Sequence, residues 1–169
     1  DQSDALAMIA AKNHRNGVDN PYAQMRKDLG FDFCRTVSDK NPIVAPPLRR
    51  TDCSPISDGA AALVLSLDDD AANFSRAVRF RAAAHVNDHM PLSKRDLWQL
   101  EGAAEAWRQA LETAGATIGD LSFVEVHDCF TIAELMSYEA MGLTEIGGGA
   151  RAILDGWTGK DGRLPVNRS

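Results

Sequence analysis

The sequence predicts a layered α/β domain, and four stretches carry that expectation. Leu121, Phe123, Val124 and Val126 form a β-branched and aromatic run of strand length, and from Phe130 onward the apolar spacing becomes helical. Ahead of it, Ala103, Ala106, Trp107, Ala110, Leu111 and Ala114 fall at i, i+3, i+4, i+7, i+8 and i+11 of one helix. Upstream again, residues 60–67 and 77–86 each have strand length. Strands and helices therefore alternate along the chain, the order from which layered α/β domains are built.

Taken in order, Ser3 can cap a helix reaching about Arg15, with Leu6, Ile9 and Ala10 on one face. Asn20-Pro21 predicts the start of a second short helix, because proline suits the first helical turn. Residues 39–47 hold three prolines and read as an irregular connector. Ser57-Asp58-Gly59 is a turn signal, and residues 60–67 are small and apolar enough for a buried strand whose alanines let backbones approach. Residues 68–74 read as a short helix with acids in its first turn, where the helix start is positive. In residues 77–86, Val78, Phe80, Ala82 and Ala84 alternate with Arg79, Arg81 and His85, a second strand pattern, and Pro91 ends regular structure nearby. The helix over residues 100–114 stops at Gly115. After the 121–126 strand the chain turns at residues 127–131 into a helix with Ile132, Leu135, Met136 and Leu143 as its apolar stripe and Gly142 at its end. Thr131 followed by Glu134 predicts a capping box. Gly147-Gly148-Gly149 lacks the Lys-Ser/Thr of a phosphate loop and reads as a flexible turn.

Length and composition bound the function. A chain of 169 residues suits one domain or slightly more, and 44% hydrophobic with 25% charged residues is the composition of a soluble globular protein. No run of about 18 apolar residues could span a membrane, and the D-Q-S-D start lacks a secretory signal. Cys34, Cys53 and Cys129 are odd in number and widely spaced, which argues against a disulfide framework or zinc site and for the cytoplasm. A net charge of −6 disfavours nucleic acid, and Arg26-Lys27, Arg49-Arg50 and Lys94-Arg95 read as solvated surface pairs. His85 and His89, four apart, straddle a strand end rather than a helix face, so no metal site is expected there. No G-x-S-x-G elbow is present.

The H-D-C group at residues 127–129 stands between a strand's carboxyl end and a helix start, where open α/β sheets bind ligands. His127 can donate a hydrogen bond to a developing oxyanion. Asp128 reads as a turn acceptor and Phe130 as a pocket or core residue. Cys129 as a nucleophile would need an adjacent base or a lowered pKa, and only His127 is near in sequence.

H-D-C-F-T, with V-E-V before it and E-L-x-x-Y-E-A-x-G-L after it, resembles the sterol-carrier-type thiolases and their bacterial and archaeal relatives. S-P-I-S-D-G-A-A-A-L-V-L from Ser54 resembles that family's S-x-x-x-D-G-A-A-A, and G-R-L-P-V-N-R-S from Gly162 resembles its G-x-x-P-V-N-P-S. K-N-H-R-N and N-P-Y-A-Q near the start resemble the tail of the loop region over the substrate channel. The resemblance implies residues 1–47 as loop tail and connector and 48–169 as an incomplete carboxy-terminal thiolase domain, a layered α/β/α arrangement with a mixed sheet and helices on both faces, half of the full fold. It implies acyl transfer on 3-oxoacyl-CoA and acetyl-CoA through a cysteine acyl-enzyme, the nucleophile and the G-H-P histidine lying outside this stretch. His127 would be the oxyanion-hole donor, Ser54 would lie near the pantetheine arm, and Cys129 and Phe130 would border the substrate. Coenzyme A thioester would be substrate, with no resident cofactor. A homodimer is implied, and in some relatives a small zinc-ribbon and OB-fold partner. Pro55 stands where glycine is frequent, and Arg168 replaces the usual proline. Two other readings are a noncatalytic module binding lipid or a partner subunit, and a steroid side-chain aldolase, in which tyrosine typically replaces the motif histidine.

Overall fold

A computed structural model describes residues 2–169. Helix α1 (Gln2–Gly17) forms as its spacing requires, burying Leu6 and Ile9 in the main core and turning Ala7 and Ala10 to α2 (Gly30–Arg35). Small side chains at this contact let Cys34 of α2 pack fully buried between the two helices. Burial pushes its thiol up to about 11, so it behaves as a small hydrophobe. The helix expected at Asn20-Pro21 does not form. Asn20 Oδ1 accepts the Tyr22 N–H at 2.9 Å, and this local side-chain bond makes a turn instead.

The proline-rich connector contains the one paired ladder among the described residues: β1 (Ile43–Ala45) runs antiparallel to β2 (Leu48–Arg49) around a cis Pro46-Pro47 turn. Fully buried Asn41 ties this hairpin to α2. Its Nδ2 lies 3.0–3.2 Å from the carbonyls of Phe33, Cys34 and Thr36, and its Oδ1 accepts the Thr51 N–H at 3.0 Å. Arg49 is not the solvated residue its sequence suggested. It is 4% exposed and paired at 3.6 Å with buried Asp52, which also accepts the Arg49 N–H.

Residues 60–67 and 77–86 depart most from expectation. Neither joins a ladder; residues 60–67 lie open, with Val64 at 87% exposure, and in 77–86 Val78 is 92% exposed while Ala82, Ala84 and Val86 are half-buried. Extended chain becomes a strand only when a neighbour takes its N–H and C=O groups, and no described segment pairs with either stretch. Between them Asp68–Asn73 makes a 3-10 turn, and Leu92–Lys94 makes another immediately after Pro91. The 121–126 stretch is a strand only at Val124, which bridges Val166 in parallel through Val124 N–H to Pro165 O and Asn167 N–H to Val124 O, both 2.9 Å.

Helix α3 (Glu101–Ala114) matches its periodicity, with Trp107 turned to the core. It ends at Gly115, φ +60°, with N–H bonds from Gly115 to Glu112 and from Ala116 to Leu111. Helix α4 (Thr131–Ala140) buries Leu135 and Tyr138 and ends in the same way at Gly142, φ +76°. The triple glycine opens α5 (Gly149–Leu154) rather than a flexible turn. The Gly149 N–H donates to Glu139 at 2.8 Å, and a Cβ there would sit 2.7 Å from the Leu135 carbonyl, so only glycine lets α5 seat on α4. The core is thus α1, α4 and α5 with the 121–126 and 164–166 stretches, a helix-rich mixed α/β arrangement with one small antiparallel sheet.

Candidate functional site

Three pieces distant in sequence meet in front of that core. The Cys53 stretch pairs antiparallel with Phe130, and the Ser54 N–H donates to the Cys129 carbonyl at 3.1 Å, so Ser54 lies beside the H-D-C-F turn. The tail after Val166 crosses the base of the 121–126 stretch. Arg168 makes use of its departure from proline: its N–H and that of Ser169 both donate to Glu125 Oε1 at 3.1 Å. Between these pieces and α1 opens a cleft of about 800 Å³, walled by Asn13, His14, Ser54, Asp128, Thr131 and Asn167 among others, with Lys27, Lys40 and Arg50 also on its border.

The structure brings Ser54 and Asp128 together on this wall. His127 is exposed beside it; Val126 and Asp128 on either side line the cleft, whereas His127 itself is not among the wall residues. Cys129 is a half-buried free thiol and Phe130 is 43% exposed, both on the same turn. Residues 85 and 89 belong to no cluster of three or more His, Cys, Asp or Glu side chains among the described residues.

The expected capping box is absent. Phe130 is the N-cap and caps with no side chain, the Thr131 hydroxyl donates to buried Asp52 at 2.9 Å, and Glu134 is turned inward at 0% exposure. Buried partners draw both side chains away from the helix start. Glu134 Oε1 faces Lys12 Nζ at 2.6 Å and accepts the Tyr138 hydroxyl, while Oε2 accepts from Asn13 at 2.6 Å and from Asn167 at 3.0 Å. Lys12 also donates to the Val166 carbonyl at 2.6 Å. The Asn13 amide nitrogen gives a second bond, 2.8 Å, to Asp128. Asn167 accepts the Val126 N–H at 2.8 Å, and its own carbonyl accepts from Asn16 at 2.7 Å.

Burial dominates the electrostatics of this cluster. It draws the Lys12 ammonium below the lysine range, with Glu134 opposing. It raises Asp128, and the Glu134 charge adds to that, while Lys12 and His127 work the other way. Tyr138 is raised by burial and by Glu134, so it stays a protonated donor. His14, half-buried on the cleft wall, is lowered by burial against the pull of Asp28.

Sequence reasoning missed Lys12, Asn13, Tyr138 and Asn167 as members of the site. Their signal lay in the motifs themselves: K-N-H-R-N, the tyrosine one turn after Glu134, and P-V-N, whose asparagine is the one non-glycine at positive φ (51°) among the described residues.

Residues 84–169 match a family described as thiolase C-terminal domain-like. Over 166 residues the chain is 41% identical to an acetyl-CoA acetyltransferase of Methanothermobacter thermautotrophicus, covering 97% of this chain and 42% of that protein. It is 33% identical to sterol carrier protein 2 of Homo sapiens, over 97% of this chain and 30% of that one. Among solved structures, the Ltp2-ChsH2(DUF35) aldolase superposes with a TM-score of 0.89 at 22% identity, over 98% of this chain and 44% of that chain. An SCP2-thiolase-like protein of Mycobacterium smegmatis gives 0.72 at 21% identity, over 84% and 33%. These likenesses establish the fold, and the chain spans less than half the length of each relative.

Proposed function

The chain belongs to the thiolase C-terminal domain-like family, and from that premise we propose that it is part of a thiolase-type acyltransferase acting on 3-oxoacyl-CoA or acetyl-CoA. In this reading a cysteine elsewhere in the full fold carries the acyl group, and the residues described above build one side of the substrate site. His127 donates an imidazole N–H to the thioester oxygen as enolate charge gathers there. Such a donor is worth about 2.7–4 kcal/mol in a transition state, because it is oriented before the charge appears. Ser54 borders the pantetheine arm, and Cys129 and Phe130 flank the acyl end. The observation that carries the reading is the pairing of the Ser54 segment with the H-D-C-F turn beside a cleft large enough for an extended thioester.

The test is acyl transfer by the natural full-length polypeptide carrying His127→Ala. The expected loss in kcat is about 10²–10³-fold, and unchanged turnover refutes the assignment.

The fold shared with a DUF35-containing aldolase complex favours a second reading, a carbon–carbon lyase working with a small zinc-ribbon and OB-fold subunit. A histidine at position 127 weighs against it. Cleavage of a β-hydroxyacyl thioester with no acyl transfer would select it. The soluble, homodimeric state of thiolases and a role in lipid metabolism belong to the same proposal; no described helix is long and apolar enough to cross a membrane.

A further inference from the structure

The polar groups behind the H-D-C-F turn form a chain of contacts from α1 to Asp128. A buried lysine–glutamate pair is a poor source of stability, since taking both charges out of water costs about as much as their attraction returns. Lys12 and Glu134, with side chains 8% and 0% exposed, are such a pair. Their geometry does something else. The Asn13 amide nitrogen has two hydrogens, one spent on Glu134 at 2.6 Å and one on Asp128 at 2.8 Å. Asn13 is therefore aimed at Asp128 only while Glu134 holds its other hydrogen, and Glu134 is held by Lys12, Tyr138 and Asn167.

We propose that Lys12, Glu134 and Asn13 are a positioning relay that sets the Asp128 carboxyl on the cleft wall and, through the backbone, the orientation of His127 and Cys129. The inference rests on the acyl-transfer reading of that turn. Charged and titratable groups from several elements act on Asp128: Lys12 from α1, Glu134 and Tyr138 from α4 and His127 from its own segment, while His14, Lys27, Lys40, Arg50, Asp52 and Glu125 line the same cleft. Among them Lys12 and Glu134 act on Asp128 with opposite sign. Lys12→Met leaves Glu134 uncompensated and raises the Asp128 titration. Glu134→Gln keeps the side-chain shape, leaves Lys12 uncompensated and lowers it.

The experiment uses the natural full-length polypeptide, following the Asp128 carboxyl by carbon-13 NMR, assigned by its loss in Asp128→Asn, alongside kcat and KM against pH. The relay predicts opposite titration shifts in the two variants. It also predicts a fall in kcat of about 10- to 100-fold with little change in KM, the effect of a misoriented group, and recovery of most of the rate in Lys12→Arg. Shifts of the same sign, or unmoved titration, overturn it. If Lys12→Met does not fold, Glu134→Gln alone decides through the sign of its shift. Loss of activity in His127→Ala with unmoved titration in the relay variants sinks the relay alone, whereas full activity in His127→Ala sinks the acyl-transfer reading and the relay with it.

Discussion

Gly149→Ala tests the close seating of α5 on α4. The added Cβ would lie 2.7 Å from the Leu135 carbonyl, 2.8 Å from Leu135 Cδ2 and 2.8 Å from the Glu139 carboxylate that accepts the Gly149 N–H. Ordinary contact for a methyl group begins near about 3.5 Å, so α5 must withdraw by most of an ångström. That withdrawal loosens Ala152 and Ile153, which are 0% and 3% exposed. Overpacking of this kind costs about 1–3 kcal/mol, offset by up to about 1 kcal/mol because alanine favours a helix over glycine. The net expectation is a loss of about 1–2 kcal/mol, read as a drop of about 0.5–1 M in the urea midpoint for a slope near about 2 kcal/mol per M. Gly159→Ala is the control: its Cβ would meet only Gly156 O at 3.5 Å, and the midpoint should not move. A midpoint for Gly149→Ala equal to or above that of the parent refutes the packing argument.

Two further outcomes follow from burial. Asp128 is raised in the folded state, so its protonation favours folding and the advantage is lost as pH rises through its native pKa. The parent should therefore gain stability relative to Asp128→Asn as pH is lowered from 7 toward about 4; urea midpoints that run parallel across that range would count against the raised carboxyl. Cys34, fully buried with its thiol pushed up to about 11, should resist iodoacetamide in the native state while half-exposed Cys129 is alkylated. Equal labelling by mass spectrometry would contradict the packing of α1 on α2.

Helices were legible where their own residues decide them. The stripe of α3 and the glycine stops at 115 and 142 depend on spacing and on φ beyond the reach of most side chains, both local properties. Strands were not, because residues 60–67 and 77–86 have strand chemistry but no neighbour to pair with, and pairing is not a property of the segment alone. At the site, the motifs placed Ser54 and the H-D-C-F turn, which do lie side by side. Glu134 was misread as a capping residue because its buried partners Lys12, Asn13 and Asn167 come from opposite ends of the chain, where no local window could find them. Asn20 shows the reverse error: the proline after it favoured a helix start, and a single bond to Tyr22 outweighed that preference.

Position 167 carries three demands at once. Its backbone turns left-handed at φ 51°, and its side chain must both give a hydrogen to Glu134 and take one from Val126. Glycine satisfies the turn and supplies neither contact; aspartate satisfies the turn and brings a second anion against Glu134; glutamine has the right amide on a stem one methylene too long and resists the turn. Asparagine answers all three requirements, and each of these three replacements fails at least one, so the choice of letter at this place is narrow.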